Sequence, residues 1–221
     1  MSEAEERLSA TWHVEKSRPD LLLEEKIWSD DKSQNLWLFV HFPWFFLQAL
    51  TIGLDKESAC VLIESPKGDP RVKQLNKKAA ELGVCQAMPL SVVCSMGDVE
   101  CFVRDRTIEN QAANELLDWA NTFTPMIVDK FPDGMLMEIK GSLGLFGGSE
   151  KLLEKISGGL DKLGYKFNYS VATTPLSAMV IAKAGLKKNV LDRRYSNKEL
   201  NEIAVDCLDL SARDLRILCQ M

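Results

Sequence analysis

Three positions spaced along this chain carry side chains that could do chemistry, and each has a bland reading beside the chemical one. His41 sits within the apolar run Leu36–Phe42. A histidine can act as a general base or a metal ligand. With no Ser, Cys or Asp arrangement at hand, a hydrogen-bonded packing role is the favoured reading. Asp133 lies between Pro132 and Gly134, where an acid also suits a turn, and Glu138 comes five residues later. One or two carboxylates suggest magnesium, but a two-metal site needs several oxygen ligands gathered together. Gly141-Ser142-Leu143-Gly144-Leu145-Phe146-Gly147-Gly148 precedes a helical pattern and invites a phosphate. It matches neither the GxxxxGK[ST] nor the GxGxxG spacing, so a structural turn is expected there.

Basic residues form two clusters. Residues 61–83 carry Lys67, Arg71, Lys73, Lys77 and Lys78, and residues 183–198 carry Lys183, Lys187, Lys188, Arg193, Arg194 and Lys198. The second is dense enough to suggest contact with a phosphate backbone. The six cysteines (Cys60, Cys85, Cys94, Cys101, Cys207, Cys219) form no CxxC pair, which argues against zinc and for reduced thiols in a cytoplasmic protein.

The 221 residues and 46% apolar content suffice for a core in one or two domains. The net charge of −5 is carried by residues 1–31, with nine acids against four bases. Residues 32–221 hold 23 of each sign, so a nucleic-acid surface is not excluded. The longest apolar stretch, Leu36–Leu50, is interrupted by His41, Pro43 and Gln48 and falls short of the ~20 residues that span a bilayer.

The elements that would position these residues are set by periodicity and punctuation. Strands are expected at Leu36–Phe42, Ser58–Glu64, Val99–Val103, Met126–Lys130, Gly134–Lys140 and Lys166–Ala172. Helices are expected at Trp44–Leu50, Arg71–Leu82, Pro89–Cys94, Thr107–Asn121, from Ser149 through Leu163, and from Thr174–Pro175 to Gly185. Two short helices are expected to open at Ser196 and Ser211. This is an α+β plan: a small antiparallel-rich sheet covered by helices on one face.

Several segments, in order, resemble one family. Leu36-Trp37-Leu38-Phe39-Val40-His41-Phe42-Pro43 is similar to the opening strand of ImuB-type proteins, the catalytically degenerate branch of the Y-family (UmuC-like) translesion DNA polymerases. Lys78-Ala79-Ala80-Glu81-Leu82-Gly83-Val84 with Ala87-Met88-Pro89-Leu90 resembles the fingers element. Pro132-Asp133-Gly134-Met135-Leu136-Met137-Glu138-Ile139 resembles the palm hairpin. Residues 141–148 resemble that branch's glycine-bearing turn, and Ala172–Ala178 resembles the next palm strand-to-helix junction. The resemblance implies a ferredoxin-like palm, a small fingers subdomain and an incomplete helical thumb. It divides the chain into an acidic, mobile arm (1–35), first palm strand and helix (36–50), fingers-like (51–103), palm-like (104–186), and linker with partial thumb (187–221) segments.

The departures carry the functional implication. Active members open on Asp-x-Asp, where this chain has His41 and Pro43, and carry Asp-Glu at the palm hairpin, where it has Asp133-Gly134. Three of those acids, the first of Asp-x-Asp and the Asp-Glu pair, hold metal in active members, and one of the three is left here, a vestigial position at Asp133. The resemblance therefore implies no catalysis and no cofactor, in a DNA-repair (SOS mutagenesis) adaptor or DNA-binding scaffold. DNA-contact candidates are Lys73, Lys77, Lys187, Lys188, Arg193 and Arg194. The implied partners are DNA, an error-prone C-family polymerase and an ImuA-type RecA-like protein. The chain is expected to stop early in the thumb, as a fragment, a truncated frame or a short variant, without the sliding-clamp peptide. The alternatives are an active nucleotidyltransferase whose magnesium site is relocated with help from Glu138 or Asp129, a simple DNA-binding module, or a non-functional relic.

Overall fold

A computed structural model describes residues 35–54 and 58–185. In chain order the elements are β1 (Trp37–His41), α1 (Phe45–Thr51), β2 (Ala59–Ile63), β3 (Val72–Leu75), α2 (Lys77–Glu81), α3 (Leu90–Val93), β4 (Val99–Val103) and α4 (Arg106–Ala120). They continue with β5 (Ile127–Val128), β6 (Gly134–Glu138), a 3-10 turn (Lys140–Ser142), α5 (Leu143–Phe146), α6 (Ser149–Leu163), β7 (Asn168–Ala172) and α7 (Pro175–Lys183). The expected arm (1–35, but for its last residue), the helices at Ser196 and Ser211 and the partial thumb lie outside the described residues, as do Lys187, Lys188, Arg193 and Arg194. No described helix is long and apolar enough to cross a membrane.

The chain divides into two compact units. One comprises residues 42–119 and 158–166. Its sheet has the order β3-β2-β4, with β2 antiparallel to β3 and parallel to β4. Because side chains alternate along β2, Ala59 and Val61 join Val72, Ala79, Val84 and Val93 in one cluster, whereas Cys60 and Leu62 pack with Leu47 on the other face. All five residues of β2 are buried, as a central strand covered on both sides requires.

The other unit contains residues 35–41, 120–157 and 167–185. Its four-stranded sheet runs β5-β6-β1-β7, antiparallel throughout. That order is the ferredoxin-like arrangement, with the first strand inserted between the third and fourth. α7 packs on β1 and β7, closing a cluster of Phe39, Leu136, Ala172, Ala178 and Ala182. Its start is set by Thr174, whose hydroxyl accepts from Ser177 N–H at 3.3 Å, and by Pro175 at the first helical position. Leu38, Val40, Met135, Met137 and Val171, which point to the opposite face, are also buried. The expectation of a sheet covered on one face is thus corrected: both faces are dry.

One local expectation is also corrected. Arg71–Leu82 is not one helix. Val72–Leu75 pairs with β2, and Asn76 then caps a shorter helix by accepting from Ala79 N–H at 2.9 Å. Burying Val72 against the sheet core outweighs the helical spacing of Leu75, Ala79 and Leu82. The glycine-bearing segment 141–148 is the structural strand-to-helix turn that its glycines suggest. A 3-10 turn runs directly into the one-turn helix α5, which ends at Gly147 with φ +77°.

Candidate functional site: a carboxylate held between two bases

β1, β6 and α7 converge at one end of the four-stranded sheet. The register places His41, the last residue of β1, opposite Gly134, the first of β6, so Asp133 lies just beyond the pair. α7 crosses the sheet and delivers Lys183 from its last turn. His41 Nε2 lies 3.4 Å from Asp133 Oδ2. Lys183 Nζ lies 3.3 Å from Oδ1 and donates to Oδ2 at 3.4 Å. The Lys183 side chain is 7% exposed and that of Asp133 27%, so the ammonium approaches from the protein interior.

Burial alone would raise the Asp133 pKa. The His41 contact and the Lys183 charge act the other way and prevail, holding this carboxyl below its ordinary value. His41 Nδ1 and Asp133 Oδ1 are buried without a hydrogen-bond partner.

The donor set does not fit a pair of divalent cations. Magnesium takes hard oxygen ligands, and Asp133 offers one carboxylate with an ammonium already against both of its oxygens. No group of three or more His, Cys, Asp or Glu side chains is placed to hold a metal ion among the described residues. The neighbouring position is also closed. A Cβ at Gly134 would meet Val40 O at 2.6 Å and Phe39 Cζ at 2.7 Å, so no side chain fits there while the strands keep their register.

The other candidates fall elsewhere. Glu138 pairs with Trp37 at the far end of β6 from Asp133, and its oxygens accept from Lys140 N–H at 3.0 Å and Gly141 N–H at 3.5 Å, capping the 3-10 turn. Pro43 has no donor, and its carbonyl accepts from Gln74 Nε2 at 3.1 Å. Phe45 is buried and stacks on Tyr165, as core packing requires, while Phe46 lies under Arg104 with 4.1 Å from Cζ to the ring centroid. Lys73 and Lys77 are exposed, and Lys77 Nζ lies 3.6 Å from Glu81. The described cysteines, Cys60, Cys85, Cys94 and Cys101, are free thiols. Lys183 is corrected: counted with a solvent-facing basic cluster, it is instead a buried partner of Asp133. Its place was hidden because 50 residues separate it from that acid. The only local signal was its seat at the end of an otherwise apolar helix.

The impB/mucB/samB family model matches residues 40–183, well over half of the chain, and that span contains His41, Asp133 and Lys183. The chain belongs to the impB/mucB/samB family. Solved structures agree on the fold of this family member. The insertion ternary complex of Dbh DNA polymerase is matched with a TM-score of 0.65 at 22% identity, over 83% of this chain and 57% of that one. DinB from Sulfolobus solfataricus gives 0.65 at 21% identity, over 84% and 57%. A Y-family DNA polymerase chimera of Dbh and Dpo4 gives 0.63 at 20% identity, over 79% and 54%. The palm and fingers of the Y-family fold are therefore present, and the impB/mucB/samB chain spans little more than half the length of these structures. No curated protein matches it.

Proposed function

We propose that this chain is a non-catalytic, ImuB-like member of its family that serves DNA-damage tolerance as an adaptor or DNA-binding scaffold for an error-prone polymerase. The observation that carries this reading is the engagement of Asp133 by Lys183 and His41. Phosphoryl transfer of the polymerase type needs two divalent cations held by carboxylates at the strand ends. Here one carboxylate faces a fixed ammonium, and that charge opposes any cation approaching the same oxygens. His41 and Pro43 stand where the resemblance implies acids, and Gly134 has no room for a side chain.

In this reading, contact with DNA rests on lysines rather than on metals. Lys73 and Lys77 present exposed ammonium groups for phosphates, and Lys187, Lys188, Arg193 and Arg194, which lie outside the described residues, are the further candidates the sequence offers. An ImuA-type RecA-like protein and a C-family polymerase are the protein partners the resemblance implies, in a cytoplasmic SOS response.

Primer extension by the purified chain with magnesium and all four deoxynucleotides tests the reading. The expected result is no extension. Magnesium-dependent extension that disappears in Asp133→Ala contradicts it and supports a relocated metal site. Electrophoretic mobility shifts test the scaffold role: binding should weaken with salt, and Lys73→Glu with Lys77→Glu should flatten that dependence.

A further inference from the structure

The β3-β2-β4 sheet treats its two edges differently. The outer edge of β3 is closed by residues 87–90, through Ala87 N–H to Val72 O at 2.8 Å, Val72 N–H to Met88 O at 2.9 Å and Leu90 N–H to Pro70 O at 2.8 Å. β4 pairs with β2 on its inner side, and among the described residues no backbone group pairs with its outer side. Arg104 N–H donates inward to Ile63 O at 3.0 Å, so by alternation Val99, Cys101 and Val103 turn their N–H and C=O groups outward. Natural edges of this kind are blunted by lysine, proline or a bulge. β4, with the sequence Val-Glu-Cys-Phe-Val, has no lysine or proline, and its register with β2 runs without a shift. Cys101 is exposed, and Val103 is 42% exposed.

We propose that this edge pairs with the same edge of a second copy of the chain, antiparallel and centred on Cys101, joining two three-stranded sheets into one. The strand is self-complementary in that register. Val99 of each copy faces Val103 of the other and Glu100 faces Phe102, so no two like charges stand directly opposite one another along the strand. Val99, Cys101 and Val103, whose backbone groups are open, meet only one another. Shifting the centre to Glu100 sets two carboxylates against each other, which is destabilising. Antiparallel pairing also places the two Cys101 Cα atoms about 5.5 Å apart, within the range a disulfide spans.

The full chain is tested by size-exclusion chromatography with light scattering over a concentration series, and separately by diamide cross-linking read on non-reducing gels. Burial and the neighbouring Cys94 push the Cys101 thiol up, so the cross-linking is run at mildly alkaline pH. The expected results are a dimer that is lost in Val103→Lys and a covalent dimer that persists when Cys85, Cys94, Cys207 and Cys219 are all changed to Ser but falls to background in Cys101→Ser. A chain that stays monomeric with background cross-linking overturns the proposal, whether the edge is then bare or covered by one of the chain's own segments. So does a dimer that survives in a Val103→Lys protein folded by circular dichroism. If Val103→Lys does not fold, the Cys101 cross-link decides: present, it supports the proposal, and at background it overturns it.

Discussion

Two charge clusters, one in each compact unit, solve different problems. In the first, Arg104 donates twice to Glu109, at 2.6 and 2.8 Å, reaches Glu64 at 3.2 Å and covers the Phe46 ring. Its guanidinium fork matches the carboxylate plane, and these hydrogen bonds raise its pKa further above an already high value. In the second, one carboxylate receives two bases at 3.3 to 3.4 Å, and two polar atoms are left without hydrogen bonds. The Arg104 cluster has the short, paired geometry of a group that ties a loop end to a helix. The Asp133 cluster is looser and centres on an acid at a strand end, where the fold leaves a carboxylate that has to be neutralised. Contact length and satisfied valence thus separate a structural ion pair from a strand-end carboxylate engaged by two bases.

The largest effect is expected at the tight cluster. Arg104→Met leaves Glu109, 7% exposed, without a counter-charge and should cost about 3–5 kcal/mol in urea unfolding. Lys77→Met, which removes an exposed pair with Glu81, should stay within about 0.5 kcal/mol. Equal losses at the two positions would erase the distinction between buried and exposed pairs. Next comes the closed position beside Asp133. Gly134→Ala forces a Cβ against the Val40 carbonyl and the Phe39 ring and should destabilise by about 1–3 kcal/mol. Phe39→Leu in that background should recover only part of the loss, because the Val40 contact is with backbone.

A smaller effect is expected within the loose cluster. Lys183→Met and Asp133→Asn, alone and combined, should show a coupling of about 1 kcal/mol in a double-mutant cycle, below that of Arg104 with Glu109. Smallest is the pH dependence. The folded Asp133 carboxyl titrates below its ordinary value, so its contribution is present above about pH 4 and is lost as pH falls through the folded pKa. Asp133→Asn should flatten that part of the acid limb of a thermal-melt profile and leave the neutral region parallel to the unaltered chain.

How much was legible in the sequence depended on the range of the interactions. β1 and β2 are apolar runs, and the Thr174-Pro175 start and Gly185 end of α7 are local signals, so these elements were found within a residue or two. β3 carries helical spacing in the sequence, and its strand character comes from pairing with β2, a contact made across a turn. Asn76 could have marked the true helix start, since its side chain accepts from Ala79 N–H and from Cys60 N–H. At the site, His41, Pro43, Asp133 and Gly134 were legible as types through the family resemblance. Lys183 was not, because a helix-end lysine shows its partner only when the register of β1 and β6 and the path of α7 are known. The steric closure at Gly134 was likewise invisible, being a property of the Phe39 ring on the adjacent strand.

The central claim is that Asp133 and its surroundings do not hold a pair of divalent cations. Manganese titration monitored by electron paramagnetic resonance tests it most directly, using the full chain with a dideoxy-terminated primer–template and the incoming nucleotide. The free-manganese signal should fall equally for the unaltered chain and for Asp133→Asn, reflecting the nucleotide and DNA alone. Two additional manganese ions taken up by the unaltered chain and released by Asp133→Asn would contradict the account.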